Sequence, residues 1–308
     1  MIRVSTIICS HNPRPEYLQR VLEALRAQTL PRDQWELLLI DNASDRVLAN
    51  EWDLSWHSHA QHVREDELGL TPARLRGIAE ARGDLLVFVD DDNVLDPDYL
   101  QTAIDIDRDY SILGAWGGTI KGEFEAEPEP WMRPLLGFLA IREYASPVWG
   151  NNPEDWAPQP CGAGLCVRRS VAAEYARQLN ARPARRRLDR VGSKLSSCGD
   201  SDLVQTSCSE GKGFGNFPGL RLTHLIPENR VQPEYIVKLM QGIITSQIVL
   251  RYFRTGYLPR EPSVVTGWLR YAFIRAMQGR HRAWVNRAHR EAIWEGIRLA
   301  RETRQTET

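Results

Sequence analysis

Apolar and polar residues follow two spacings along the first 120 residues of the chain. Short apolar runs occupy residues 2–9, 35–40 and 85–89, and polar residues follow each run. Between the runs, apolar positions recur every three to four residues, as at Leu18, Val21, Leu22 and Leu25. Short apolar runs are typical of buried strands, and the longer spacing is typical of amphipathic helices. The pattern predicts an α/β fold with a mostly parallel sheet flanked by helices.

Cap residues predict where two of the helices begin. Thr71 and Pro72 are suited to an N-cap and a first helical position, and Gly83 to the end of the same helix. Asp96 is suited to capping the helix that follows the third apolar run.

The chain changes character after residue 120. Residues 121–160 hold seven prolines and three tryptophans, a composition typical of a long binding loop. From residue 233 onward the apolar spacing is helical again. We therefore expect a domain over residues 1–228 and a C-terminal helical extension over residues 229–308.

Charge and cysteine content narrow the class of protein. The net charge is −1, but residues 230–308 carry 14 Lys and Arg against 6 Asp and Glu. A basic tail of this kind either meets an anionic partner or forms a solvated helical face.

The five cysteines lack the spacing of a zinc site and predict reduced thiols in the cytoplasm. We expect neither a signal peptide nor a membrane-spanning segment. The Arg-rich loop 182–190 lacks the interleaved aromatic residues that would favour nucleic-acid binding.

Three consecutive aspartates, Asp90, Asp91 and Asp92, directly follow the third apolar run. Adjacent carboxylates raise each other's pKa unless a cation compensates them. Mg²⁺ and Mn²⁺ prefer such oxygen ligands and are often shared with substrate phosphates. The alternative is a cluster that caps the next helix, but Asp96 is better placed for that role. The pattern therefore favours a divalent cation that carries a diphosphate.

Polar residues at other strand and helix ends are further candidates for chemistry. Asp41 ends the second run and either binds a ligand or forms an Asx-turn. Arg74 lies on a predicted helix and either faces phosphates or remains on the surface. Asp200 and Asp202 begin a predicted helix, where one is a candidate general base and the alternative is an N-cap. His224 follows a late apolar run and is either a metal ligand or a buried histidine.

Five segments occur in an order and spacing that resembles family 2 glycosyltransferases over residues 2–228. They are VSTIICSHN, LLLIDNAS, GLTPARLRGIAEARGDLLVFVDDDNVLDPDYL, GAGLCVRRS and CGDSDLVQTSCSEG. The resemblance implies a GT-A (Rossmann-like) fold, a nucleotide-diphosphate sugar donor and inversion at the anomeric carbon. It also implies a nucleotide-sugar half over about residues 1–120 and an acceptor half over about residues 121–228.

The resemblance assigns the nucleotide pocket to the first two strands and the following helix. It implies that Cys9, Ser10 and Asn12 begin the pocket. Asp41 matches the carboxylate that contacts the base, and Arg74 matches an arginine near the nucleotide.

The resemblance also assigns the cation, which it implies to be Mn²⁺ or Mg²⁺. Asp90–Asp92 match the DXD motif, with Asp91 toward the ribose and Asp92 as the direct metal ligand. Asp90 is a further metal and nucleotide candidate, and His224 resembles a late histidine ligand of some GT-A enzymes.

The motif of the catalytic base departs from the family pattern. The family usually has Glu-Asp and a second Asp after one residue, whereas this chain has Gly199 in place of the Glu. Asp200 is the implied base and Asp202 the alternate. The Gln-x-x-Arg-Trp motif of processive synthases is absent, which favours transfer of one sugar at a time.

The sequence therefore predicts an inverting, metal-dependent glycosyltransferase of glycan or polysaccharide biosynthesis, with a UDP-sugar as the favoured donor. The acceptor is expected to be a glycan or a lipid-linked sugar. The alternatives are a non-catalytic nucleotide-sugar-binding protein and, less favoured, a sugar nucleotidyltransferase. The basic C-terminal helices are expected to contact the inner face of a membrane peripherally, to form an oligomer interface or to cap the sheet.

Overall fold

The computed structural model describes residues 1–189, 195 and 197–307 of the chain. The chain divides into two compact units, each built from separate stretches of sequence. The first contains Met1–Glu125, Ala140–Arg182 and Gly199–Ile226. The second contains, as far as it is described, Ala126–Leu139, Pro183–Cys198 and Pro227–Thr308. The domain boundary that the sequence predicts at residue 228 stays a prediction.

Within the described residues, a mixed sheet of nine strands is the framework of the first unit. The strands are β1 (Val4–Ser10), β2 (Trp35–Asn42), β3 (Ala60–Glu65), β4 (Leu85–Asp90), β5 (Asn93–Leu95), β6 (Leu113–Phe124), β7 (Val148–Gly150), β8 (Leu165–Arg168) and β9 (Gly213–Ile226). Their order is β3-β2-β1-β4-β8-β6-β9-β5, and β7 pairs with β9. The strands β3, β2, β1 and β4 pair in parallel, as do β6 and β9, whereas β5, β7 and β8 are antiparallel to their neighbours. The predicted α/β fold is confirmed, with antiparallel strands inserted in its second half.

Helices pack on both faces of this sheet. They are α1 (Pro15–Arg26), α2 (Leu70–Glu80), α3 (Tyr99–Asp109), α4 (Arg169–Ala181) and α5 (Gly199–Ser209). In β2, Leu37 and Leu39 join a cluster with α1 and α3, whereas Leu38 and Ile40 join a cluster with α2, α4 and α5. Because successive side chains enter opposite clusters, the strand is apolar at each position from Leu37 to Ile40 rather than at alternate ones.

The predicted start and end of α2 are wrong. The N-cap is Gly69, whose φ of 146° is a conformation that other residues rarely adopt. The backbone N–H of Gly69 donates to Asn42 Oδ1 at 2.8 Å, which fixes the start of α2 to the end of β2. Thr71 is therefore inside the helix. Gly83 lies beyond the helix end, where a Cβ would be 2.6 Å from the Val4 carbonyl carbon.

The predicted cap of α3 is also wrong. Asp98 precedes the helix as its N-cap. The Asp96 carboxylate instead pairs with Arg221 on β9, with Oδ2 3.0 Å from Nε. Asp96 therefore ties the end of β5 to its antiparallel neighbour.

A change of register in the β6–β9 pair determines how β9 reaches β5. Gly118 pairs with Phe217, but Thr119 pairs with Arg221, so part of β9 bulges out between these pairs. A Cβ at Gly118 would lie 2.1 Å from the Leu220 carbonyl oxygen. Only a glycine fits this close approach, and the bulge sets the last part of β9 against β5.

The second unit is helical. Its long helices are α6 (Pro233–Thr255), α7 (Val264–Gln278) and α8 (Arg280–Glu307), and short 3₁₀ helices occur at Pro130–Leu139 and Pro183–Leu188. The predicted C-terminal helices are therefore present. Among the described residues, no helix combines the length and apolarity needed to span a bilayer. Arg190, the last residue of the predicted basic loop, lies outside the described residues.

We expect Gly118→Ala to destabilise the protein by about 1–3 kcal/mol, because the added methyl group overlaps the backbone of β9. Gly219→Ala is the matched control, since its nearest atom would be Thr102 Cγ2 at 3.6 Å. That variant should change the free energy of unfolding by less than about 0.5 kcal/mol. Urea denaturation measures both, and equal effects would contradict the close approach.

Candidate active site

Three parallel strands end at the same edge of the sheet and bring four predicted site residues together. Cys9 on β1 is the register partner of Asp90 on β4, and Ser10 is the register partner of Asp41 on β2. Carboxyl ends of parallel strands are the usual ligand sites of open α/β sheets. The predicted clustering of these residues therefore follows from strand register alone.

The turn after β4 holds Asp91 and Asp92 away from any helix. Ser10 Oγ donates a hydrogen bond of 2.5 Å to Asp91 Oδ2, which joins this turn to β1. The strand β5 follows the turn directly, and α3 begins only after it. The alternative that the three aspartates cap a helix is therefore wrong.

Asp92 lies beside His224. The antiparallel pairing of β5 with β9 makes Asn93 the register partner of His224. His224 Nε2 lies 3.3 Å from Asp92 Oδ2, and both side chains are buried. Asn93 Nδ2 donates to Asp92 Oδ1 at 2.9 Å, and the Leu225 N–H donates to the Asp92 carbonyl at 2.8 Å. The side chain and backbone of Asp92 are thus fixed by neighbours on both strands.

The pair of Asp92 and His224 fits a divalent cation that is also bound by substrate. Two ligands at adjacent corners of an octahedral Mg²⁺ site, each at about 2.1 Å, are about 3 Å apart. The separation of 3.3 Å between Nε2 and Oδ2 is close to this value. Within the described ranges, no group of three or more His, Cys, Asp or Glu side chains is arranged to hold a metal. The remaining ligands would therefore have to come from phosphates and water.

Asp41 is held by backbone N–H groups and by an arginine. It accepts bonds from the N–H groups of Ser44 and Leu48 at 3.1 and 3.0 Å, and pairs with Arg64 Nη1 at 2.8 Å. Burial opposes ionisation of this carboxyl, but the bonds from Leu48, Ser44 and Arg64 outweigh it and lower the Asp41 pKa. Asp41 therefore presents a fixed negative charge at the strand ends.

Asn12 joins the two loops beside Asp41. Its φ of 48° is left-handed, and its backbone N–H donates to Ser44 Oγ at 3.0 Å. The Asp45 N–H donates to Asn12 Oδ1 at 2.9 Å. These two hydrogen bonds hold the loop after β1 against the loop after β2.

Asp200 and Arg74 border the same glycine. The Gly162 N–H donates to Asp200 Oδ2 at 2.7 Å. A Cβ at Gly162 would lie 2.8 Å from Arg74 Nη2 and 3.3 Å from Asp200 Oδ2. Asp200 is partly exposed at the start of α5, whereas Asp202 is only 1% exposed. Of the two candidate bases, Asp200 is the one with access to solvent.

The Cys161 thiol is affected by the charges of two predicted site residues, Asp90 and Asp200. Burial raises the pKa of this thiol, Arg142 opposes the increase, and the charges of Asp200 and Asp90 add to it. Both carboxylates therefore act on one partly buried side chain.

The family model described as Glycosyl transferase family 2 matches residues 5–153, a range that contains β1, β2, β4 and the three aspartates. This stretch, just under half of the chain, is similar to family 2 glycosyltransferases. A curated relative is the Glucosyl-dolichyl phosphate glucuronosyltransferase of Haloferax volcanii, which is 26% identical over 165 residues. The match covers 49% of this chain and 51% of that protein, so the chain spans about half of its relative's length.

Two solved structures have a fold similar to that of this chain. The mannosyltransferase PcManGT of Pyrobaculum calidifontis, solved with GDP-Man and Mn²⁺, has a TM-score of 0.57 at 16% identity. The match covers 97% of this chain and 75% of PcManGT. S. aureus TarS 1-349 with UDP-GlcNAc has a TM-score of 0.51 at 13% identity, over 100% of this chain and 93% of TarS 1-349. The predicted GT-A fold is confirmed.

Two cations of the candidate site were not predicted from the sequence. Arg64, which pairs with Asp41, lies on β3, where only Val63 is fully buried, so no apolar run marks this edge strand. Arg142 donates to the Gln159 carbonyl at 2.8 Å and lies within electrostatic range of Asp200. It comes from the proline-rich segment, which has no readable period. The roles of Arg64 and Arg142 are recognised from their contacts in the folded structure.

We expect Asp41→Asn to lose about 2 kcal/mol of stability at pH 7, because the Arg64 pair and two N–H acceptors are weakened together. The Asp41 pKa is lowered in the folded protein, so its contribution is present above the usual aspartate value of about 4 and is lost as pH falls through the folded pKa. The stability difference between wild type and variant should therefore shrink at acid pH. Urea denaturation from pH 7 to pH 3 measures it.

The matched control for this prediction is Asp33→Asn, which changes an exposed aspartate. It should alter the free energy of unfolding by less than about 0.5 kcal/mol. A wild-type advantage over Asp41→Asn that stays constant down to pH 3 would contradict the assigned role of the Asp41 charge.

Proposed function

We propose that the protein is an inverting glycosyltransferase that moves one sugar from a nucleotide-diphosphate sugar to an acceptor hydroxyl. A UDP-sugar is the favoured donor. Two observations support the proposal: carboxylates lie at the ends of β2 and β4, and Asp200 accepts a hydrogen bond from the Gly162 N–H beside Arg74. A donor bound at the strand ends would then have a candidate base close to its sugar.

Donor binding is assigned to the ends of β1, β2 and β4. Asp41 would accept hydrogen bonds from the base, and Asp91 would face the ribose with Ser10 holding its carboxylate. Cys9 and Asn12 would form the floor and rim of the same pocket. Arg74, next to Gly162, would place its positive charge near the phosphates. The two similar structures were solved with GDP-Man and with UDP-GlcNAc, which supports a nucleotide-sugar donor without selecting the base.

Mn²⁺ or Mg²⁺ is the proposed cofactor, held by Asp92 and His224 with Asp90 nearby. When bound, such a cation neutralises the charge that develops on the departing nucleoside diphosphate. Asn93 keeps the Asp92 carboxylate in place. PcManGT was solved in complex with Mn²⁺, which supports this choice.

Asp200 is the proposed general base, with Asp202 as the alternate. Asp200 would take the proton from the acceptor hydroxyl while that oxygen attacks the anomeric carbon from the face opposite the leaving group. The bond to the diphosphate breaks as the new glycosidic bond forms, so one displacement inverts the configuration. The Gly162 N–H orients the carboxylate, and the partial exposure of Asp200 favours it over Asp202.

The acceptor is proposed to be a glycan or a lipid-linked sugar in polysaccharide biosynthesis. Trp149 and Trp156 are 54% and 37% exposed in the segment that leads to Gly162, and their faces suit a sugar ring. Trp131, by contrast, packs on His281 and Trp284 within the second unit. We place the reaction in the cytoplasm, since all five cysteines are free thiols.

A non-catalytic nucleotide-sugar-binding protein is the second candidate, because Gly199 replaces the family's usual glutamate. A panel of UDP-, GDP- and dTDP-sugars with Mn²⁺ or Mg²⁺ separates the two functions. Release of nucleoside diphosphate from one donor, abolished by a chelator, supports the transferase. Metal-dependent binding without release, with every candidate acceptor added, supports the binding protein.

We expect Asp200→Asn to lower the rate of nucleoside diphosphate release by about 10²–10⁴-fold, because a general base is removed. Donor affinity should stay within about twofold, since the amide oxygen can still accept from the Gly162 N–H. Asp202→Asn is the comparison variant. A larger rate loss in Asp202→Asn than in Asp200→Asn would move the base to Asp202.

We expect Asp92→Ala and His224→Ala each to abolish the response of UDP binding to Mn²⁺, because each removes one of two adjacent ligands. Isothermal titration calorimetry with and without Mn²⁺ measures the response. The weak binding that remains should resemble that of the wild type in chelator. Full metal-dependent affinity in either variant would contradict the assigned ligand.

A further inference from the structure

The helix α7 has two faces of different character. Gly267 and Ile274 are buried, and Tyr271 is partly buried beside them. At about 100° per residue these three positions lie on one side of the helix. This side packs on α8, where Arg290 Nη2 donates to the Ser263 carbonyl that precedes α7.

The other side of α7 is apolar and exposed. Its large side chains are 61–72% accessible to solvent, and we call them the α7 apolar face: Val264, Val265, Trp268, Leu269, Phe273 and Met277. The i, i+4 and i, i+8 spacing of Val265, Leu269 and Phe273 places them in one row. A continuous apolar patch of this kind marks an interaction surface in a folded protein.

Positive charge borders the α7 apolar face. Residues 264–282 contain four arginines and neither Asp nor Glu: Arg270, Arg275, Arg280 and Arg282. At about 100° per residue, Arg270 and Arg275 fall on opposite borders between the exposed apolar side and the packed side. Among the described residues none of the four is paired with a carboxylate, whereas Arg298 on α8 pairs with both Glu295 and Glu302.

We infer that the α7 apolar face docks on the surface of a lipid bilayer that contains anionic lipids. Aromatic and aliphatic side chains on one face with arginines along its borders are the arrangement of interfacial helices. The arginine stems extend along the apolar surface while their guanidinium groups reach the lipid phosphates. With 15 residues, α7 is about 22 Å long, too short to cross a hydrocarbon core of about 30 Å. It therefore lies along the interface.

A second copy of the chain fits this surface less well. Two identical faces packed together would bring Arg270 and Arg275 of both copies into one interface, and the segment offers no carboxylate to pair with them. Like charges brought together oppose such contact, whereas anionic headgroups complement it. The inference uses only residues of the second unit and does not depend on the proposed function.

The test is co-sedimentation of the full-length protein with two kinds of vesicle, phosphatidylcholine alone and phosphatidylcholine with phosphatidylglycerol. We expect binding to the mixed vesicles that weakens with salt, and little binding to the neutral ones. Trp268→Ser/Phe273→Ser should reduce binding more than tenfold. Arg270→Gln/Arg275→Gln should reduce it roughly 10- to 30-fold, since each arginine near an anionic surface contributes about a factor of five.

Ile112→Ser is the matched control, because Ile112 is 53% exposed but lies in the first unit. It should bind mixed vesicles as the wild type does, and urea denaturation should show that all variants remain folded. Absence of binding to either vesicle would overturn the inference. So would a concentration-dependent dimer that dissociates in Trp268→Ser/Phe273→Ser, because the face would then be covered by a second copy.

Discussion

Repulsion between carboxylates at one edge of the sheet is the constraint on which the candidate site depends. Parallel strand register brings Asp41 and Asp90 to the same edge, and the turn after β4 adds two more aspartates. Neighbouring groups stabilise two of these carboxylates separately. Arg64 and backbone N–H groups stabilise Asp41, while Asn93 and His224 flank Asp92. These contacts hold the Asp41 and Asp92 carboxylates in fixed positions.

Backbone geometry far from the charges decides where the compensating groups lie. His224 reaches Asp92 only because the bulge opposite Gly118 shifts β9 before it pairs with β5. Asp200 reaches the Gly162 N–H because α5 begins beside the segment that precedes β8. His224 on β9 and Asp200 on α5 thus come from the second half of the domain to join residues of the parallel strands.

The parallel half was predictable from the sequence because each of its central strands is buried on both faces and is therefore mostly apolar. Asp41 and the three aspartates could be found because they directly follow such strands. Arg64 could not, since β3 is an edge strand with one fully buried residue. The start of α2 was mispredicted because Thr71 resembles a cap, whereas a hydrogen bond from Gly69 to Asn42, distant in sequence, sets the helix start. Long-range contacts of this kind leave no local pattern.

The hydrogen bonds around Asp41 also have an entropic consequence. Its carboxylate, the Ser44 loop and the Arg64 side chain are ordered by one another before any ligand arrives. Each side chain that becomes ordered when a ligand binds costs about 0.5–1.5 kcal/mol of binding free energy. The groups around Asp41 have already lost conformational entropy during folding, so a ligand that binds there does not have to order them. Part of its affinity is therefore determined by the stability of the fold.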